Sequence, residues 1–203
     1  KTDDYGMQRS RRLFSTLNRY AKPISMRDII ALDEDDIVAI VSRDLIDRHP
    51  LFTNERLLDA KTKSIPETNE KAFTTIITFY QCNYELIWLL VKDMTVYNAE
   101  GQKAKGKSKL KEFIRRRPSD QIIEQFNALC NDFWNSLSRT YTDFEQYLSN
   151  SPDSTLYRNR NGGNILFRPI ALLPFVRATV KYASAHDVTF ETVFSRFPHR
   201  LLL

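Results

Sequence analysis

Apolar side chains recur at the spacing of an α-helix along most of this chain, and this periodicity constrains the fold more than any other feature. The clearest run lies in residues 68–93, where one helical face carries Phe73, Ile76, Ile77, Tyr80, Tyr84, Ile87 and Leu90. It predicts a helix from a Thr68 N-cap to about Asp93. A second long helix is predicted from a Ser119 N-cap to about Leu148. We therefore predict a mainly α, multi-helix globular domain with at most a small β element.

Shorter helices flank these two runs, and prolines and capping residues mark their ends. The first predicted helix, Met7–Tyr20, ends before Pro23. We expect its apolar residues Leu13, Phe14 and Leu17 to lie in the core. The other predicted elements are a helix over Glu34–Arg48 with Asp33 as N-cap, a loop or short strand in 51–66, a basic helix over Lys107–Arg116, a helix from Pro169 to about Ala185 and a last helix over Thr189–Arg196.

The chain of 203 residues is predicted to form a single domain, 1–203, since this length suits one hydrophobic core. Two loops are expected in it: a mobile basic loop at about 95–109 and a polar loop at about 149–164. Only five glycines are present, which disfavours an all-β fold rich in tight turns. No apolar run is long enough to cross a membrane and no secretory signal opens the chain, so we expect a cytoplasmic protein with Cys82 and Cys130 as buried thiols.

The sequence offers little support for catalysis. His49, His186 and His199 are far apart and lie beside helix ends or prolines, where histidines usually cap helices or face solvent. The acidic run 33–36 has the composition of a divalent-cation site, but its position at a helix start favours N-capping. No motif of a metalloprotease, serine hydrolase or phosphate-binding loop occurs. We therefore predict no catalytic residue, no metal and no cofactor.

Positive charge is concentrated in residues 103–117, which we call the basic segment. Its net charge is +7, so that the rest of a chain of net charge +5 carries −2. The cations are Lys103, Lys105, Lys107, Lys109, Lys111, Arg115, Arg116 and Arg117. Such a segment suits contacts with nucleic-acid phosphates, although a solvated loop without a ligand has the same composition. A weaker basic group includes Arg158 and Arg160, beside glycines that either admit a phosphate or serve a turn.

Several segments, in their order along the chain, resemble the DGQHR-domain family, which includes the DndB-type proteins of DNA phosphorothioation. They are LFSTLNRYAKPIS at 13–25, DEDDIVAIVSRDLI at 33–46, HPLF at 49–52, SIPETNEKAFTTIITFY at 64–80 and NILFRPIALLPFVRA at 164–178. The Asp-Gly-Gln-His-Arg motif that precedes the first of these segments in the family is absent. The resemblance therefore implies the C-terminal portion of such a protein.

The resemblance implies work on DNA, as a DNA-binding regulatory or accessory protein of a bacterial DNA sulfur-modification and restriction system. We expect phosphate contacts from the basic segment, from Arg158 and Arg160, and from the first helix and its end, where the candidates are Arg11, Arg12, Arg19 and Lys22. Asn18 either bonds a base edge or caps the helix end.

Two alternatives stay open at this point. One is a ParB-like nucleotide hydrolase or nuclease whose site lies mostly upstream, with Asn18, Arg43 and Asp44 lining it. The other is a helical docking module for other DNA-modification proteins, in which the basic segment only aids solubility. The sequence does not decide the oligomeric state.

Overall fold

The computed structural model describes residues 6–7, 9–13, 25–53, 55–60, 62, 64–114, 116–149, 153–158 and 163–197. Residues 6–7 and 9–13 are helical and are called α1. The elements that follow are α2 (Met26–Leu32), α3 (Ile37–Arg48), β1 (Leu57–Leu58), β2 (Thr74–Thr75), α4 (Ile76–Val91), α5 (Gly106–Ile114), α6 (Asp120–Thr140), α7 (Thr142–Ser149), α8 (Thr155–Arg158), a 3-10 turn (Ile165–Phe167), α9 (Pro169–His186) and α10 (Phe190–Arg196). The prediction of a mainly α fold with one small β element is confirmed.

The core lies between α3, α4, α6 and α9, with α10 packed on α6 and α9. Aromatic rings fill its centre: the indole of Trp134 meets Phe52 and Phe133 edge-on, at centroid distances of 5.0 and 4.9 Å. A buried polar link crosses this apolar centre. The side-chain amide of Asn83 donates to Ser42 Oγ at 3.0 Å and accepts from Trp134 Nε1 at 3.0 Å. This link joins α3, α4 and α6, and it satisfies polar groups that are costly to bury alone.

The start of α4 was predicted too early. The helix begins at Ile76 with Thr75 as N-cap, whose Oγ1 accepts from the Thr78 amide at 3.2 Å. The preceding residues instead form β2, which pairs in parallel with β1. Phe73 is fully buried before the helix begins. Apolar spacing alone did not separate a short strand from the first turn of a helix.

Two other boundaries also differ from the predictions. The cap of α3 is Asp36, whose Oδ1 accepts from the amides of Val38 at 2.7 Å and Ala39 at 3.3 Å. Asp33, the predicted cap, instead ends α2. The helix predicted from Ser119 to Leu148 is interrupted at Tyr141, whose extended backbone ends α6 so that α7 follows as a separate helix.

Leu13 was predicted to be a core residue and this was wrong, because 62% of it is exposed. Phe14 and Leu17 lie outside the described residues. Helical spacing identifies an apolar face but does not show whether another element covers it. Cys82 and Cys130 are buried free thiols, as predicted, and burial raises the pKa of both. Among the described helices, none has both the length and the apolar character needed to span a membrane.

Candidate nucleic-acid interface

The first half of the basic segment belongs to a short hairpin at residues 96–104. The Ala104 amide donates to the Val96 carbonyl at 2.8 Å, and Tyr97 is bridged to Lys103. The turn is closed by Asn98, whose Oδ1 accepts from the Gln102 amide at 2.8 Å. The expected basic loop therefore contains a hydrogen-bonded turn, and it presents exposed lysines at 103 and 105.

Helix α5 continues the basic segment and has one face against the body of the protein. Leu110 is buried, and Phe113 and Ile114 pack partly buried against the core. Lys107 and Lys111 are exposed and, being four positions apart, share one side of the helix. Their Cα atoms are about 6 Å apart along the axis, which is close to two nucleotide steps of about 3.4 Å on one DNA strand.

Two cations of the basic segment are bonded to other parts of the protein, Lys109 in a buried position and Arg117 at the surface. Lys109 is 8% exposed, and its ammonium donates to the Lys92 carbonyl at 2.6 Å, at the C-terminal end of α4. Arg117 donates to the Glu34 carbonyl at 3.1 Å and pairs with the carboxylate of Asp120 at 3.3 Å. Arg117 also lies 3.5 Å from the Glu34 carboxylate. We predicted both as DNA contacts, but these bonds give them a place within the fold, so we leave them out of the proposed interface.

Arg158 also has its donors directed inward. Its guanidinium is half-buried and donates to the backbone carbonyls of Asn69 and Ala72. Burial lowers the pKa of this guanidinium below its ordinary value. Arg158 therefore holds the loop that precedes β2, and we no longer count it among the expected phosphate contacts. Its predicted neighbour Arg160 lies outside the described residues.

The remaining predicted contacts divide into exposed residues and residues that the structure does not describe. Arg11 and Arg12 are exposed on α1. Asn18, Arg19, Lys22 and Arg115 lie outside the described residues. The exposed cations of the basic segment, apart from Arg117 with its bonds to Glu34 and Asp120, form what we call the basic face: Lys103, Lys105, Lys107, Lys111 and Arg116. None of these five forms an ion pair with another described residue.

The acidic run at 33–36 is used for capping and pairing. Asp33 Oδ1 accepts from the amides of Asp35 and Asp36 at 3.0 Å each. Glu34 pairs with Arg43 at 2.8 Å. In the described part of the chain, no group of three or more His, Cys, Asp or Glu side chains is placed to hold a metal ion.

The residues named for the nucleotide-hydrolase alternative have structural partners. Arg43 donates to the carbonyls of Ala31 at 3.0 Å and Asp33 at 3.2 Å. Asp44 accepts from the side-chain amide of Asn127 at 2.9 Å, and it pairs with an arginine one turn later in α3. These contacts link α3 to α2 and α6.

The sequence did not show which backbone carbonyls bind Lys109 and Arg117 and so set these two residues apart from the basic face. Lys109 binds the carbonyl of Lys92 at the end of α4, 17 residues away. Arg117 binds the carbonyl of Glu34, 83 residues away. A local signal exists only for Arg117, which precedes Asp120 by three positions. No sequence pattern distinguishes Lys109 from its neighbours.

Comparison with known proteins gives one result. The model of the DndB family, described as DNA-sulfur modification-associated, matches residues 2–192, which is most of the chain. No curated protein matches significantly, and no solved structure does.

Proposed function

The chain belongs to the DndB family of DNA-sulfur modification-associated proteins, and from this membership together with the basic face we propose that it binds DNA. In this proposal it is a regulatory or accessory protein of a bacterial DNA sulfur-modification system and acts in the cytoplasm. It holds DNA mainly through the phosphate backbone. No catalytic step is assigned to this chain.

The observation that carries the proposal is the arrangement of the basic face. Five exposed cations follow one another from the hairpin through α5 to the residue two positions after its end, within a segment of net charge +7. Since the remainder of the chain carries −2, the attraction for a polyanion is local. Lysine and arginine contacts of this kind supply affinity and register but carry no direct sequence information.

Phosphate contacts predict a definite salt dependence. Each neutralised phosphate of B-DNA releases counterions and contributes about 0.9 to the slope of log affinity against log salt. If all five cations of the basic face contact phosphates, the slope is about −4.5. Contacts from Arg11 and Arg12 on α1 would steepen it.

The test is DNA binding by the full chain at increasing salt, measured for the wild type and for the double variant Lys107→Ala/Lys111→Ala. The variant should bind more weakly and lose about 1.8 from the magnitude of the slope. The matched control is Arg139→Ala/Lys181→Ala, which removes the same charge from exposed positions on α6 and α9. Equal effects of the two double variants, or binding that is insensitive to salt, would contradict a localised basic interface.

A second candidate function, docking to another protein, is favoured by one group of exposed apolar side chains. Leu156, Ile165 and Ile170 are 62%, 42% and 84% exposed and come from α8, the 3-10 turn and α9. The 3-10 turn contacts both α8 and α9, and apolar side chains that are exposed on adjoining elements are typical of protein interfaces. A pull-down with and without nuclease separates the two candidates, because a protein partner stays bound after the DNA is digested.

A further inference from the structure

Lys109 differs from the other lysines of the basic segment in both burial and bonding. It lies one residue before the buried Leu110, and only 8% of it is exposed. Its ammonium is 2.6 Å from the Lys92 carbonyl. Lys107 and Lys111, two positions away on either side, are exposed.

The site that holds this ammonium is the C-terminal end of α4. The last carbonyls of a helix have no partner within it, and they carry the negative end of the helix dipole. In α4 the Val91 carbonyl accepts from the Met94 amide at 3.0 Å, while the Lys92 carbonyl accepts from Lys109. The charge of Lys109 is thus directed to the helix end and away from solvent.

The contact fixes how α5 lies on the body. Leu110 and Lys109 bring the middle of α5 against the core and the end of α4, and Arg117 fastens the chain after α5 to the Glu34 carbonyl. With the inner face held in this way, Lys107 and Lys111 are directed outward together. A rotation of the helix by one residue, about 100°, would separate them from the rest of the basic face.

We infer that Lys109 is a positioning residue, which holds α5 on the end of α4 so that Lys107 and Lys111 present one phosphate-binding face. This inference rests on the proposed DNA-binding function. Lys109 itself contacts no phosphate. It acts through the orientation of its neighbours.

The experiment compares Lys109→Met with Lys107→Met in the full chain. Both variants remove one ammonium and keep an unbranched apolar stem, but only Lys109→Met removes the bond to α4. Amide hydrogen exchange of α5 is measured without DNA, and DNA affinity is measured against salt. We expect exchange in α5 to rise about tenfold or more in Lys109→Met, because a charge-assisted hydrogen bond is lost, and to stay unchanged in Lys107→Met.

The double variant Lys107→Met/Lys109→Met identifies how Lys109 affects binding. If Lys109 positions α5, the loss of Lys107 weakens binding less in the Lys109→Met background than in the wild type, because a misoriented helix no longer brings Lys107 to DNA. The cycle should then be non-additive by about threefold or more in affinity. Lys109→Arg, which keeps the charge but not the size, should not restore full affinity.

Three outcomes would overturn the inference. Unchanged hydrogen exchange in α5, together with additive losses of DNA affinity, would mean that Lys109 contacts phosphate directly. Raised exchange with wild-type DNA affinity would make it purely structural. Full rescue by Lys109→Arg, without recovery of exchange protection, would show that charge alone matters. Failure of the proposed function would give a different result, because Lys107→Ala/Lys111→Ala would then bind DNA like the wild type. Hydrogen exchange in Lys109→Met would still show whether the bond between Lys109 and the end of α4 holds α5 in place.

Discussion

His49 is the C-cap of α3 and introduces a pH-sensitive group into the interior of the protein. It is 4% exposed, its Nδ1 accepts from the Leu51 amide at 3.2 Å, and its ring lies 5.2 Å from that of Phe52. Nε2 is buried and has no hydrogen-bond partner among the described residues. Burial disfavours the charged imidazolium and lowers the pKa of His49 to about 4. The side chain of Asn135 favours the charged form and therefore opposes this shift.

The sign of the pH effect follows from this lowered pKa. In the unfolded chain the imidazole has its ordinary pKa of 6.5, so between about pH 6.5 and pH 4 the unfolded state binds more protons than the folded state. The free energy of unfolding therefore falls as the pH is lowered through this window. Between about pH 7 and pH 5, this single group accounts for a loss of about 2 kcal/mol.

Urea denaturation at about pH 7 and pH 5, followed by far-UV circular dichroism, measures this loss. The comparison is with His49→Asn, because the Oδ1 of asparagine can accept from the amide two residues on, as Nδ1 does, but does not titrate. The variant should be less stable at both pH values, since it leaves space in the core. Between about pH 7 and pH 5, the free energy of unfolding of the variant should fall by about 2 kcal/mol less than that of the wild type.

The matched control is His186→Asn, at an exposed position at the end of α9. Comparing the two variants separates the removal of a buried imidazole from the removal of an exposed one. The reasoning would be refuted if His49→Asn lost as much stability as the wild type between the two pH values. The burial of His49 would then have no effect on its proton affinity.

Two further predictions concern stability. Asn83→Ala removes both bonds that link Ser42 and Trp134, so the Trp134 Nε1–H donor and the Ser42 Oγ acceptor lose their partner, and the free energy of unfolding should fall by about 3 kcal/mol. A loss below about 1 kcal/mol in urea denaturation would show that the link contributes little. In thermal denaturation, Gly163→Ala should lower the stability more than Gly101→Ala, although both glycines have positive φ. A Cβ at 163 would lie 2.4 Å from a backbone carbonyl of α8, whereas one at 101 would meet open space. Equal losses of stability would mean that the close approach at 163 is relieved at no cost.

Much of the helical architecture could be predicted from the sequence, because its signals act over three or four residues. The N-cap at Ser119 and the proline at the first position of α9 are local features, and the structure places both where the sequence predicts. The last helix, predicted from Thr189, begins one residue later with Thr189 as its N-cap. The net charge of the basic segment is likewise a property of the sequence alone. Resemblance between short segments was also sufficient to indicate the family.

The tertiary structure decided which residues are buried and what their side chains bind. Lys107, Lys109 and Lys111 have the same side chain and nearly the same sequence surroundings, yet only Lys109 meets the end of α4. Leu13 carries an apolar side chain at helical spacing, yet it is exposed. Local spacing determines the direction in which a side chain leaves its helix, whereas burial and bonding depend on segments that are distant in sequence and are brought close only when the core forms.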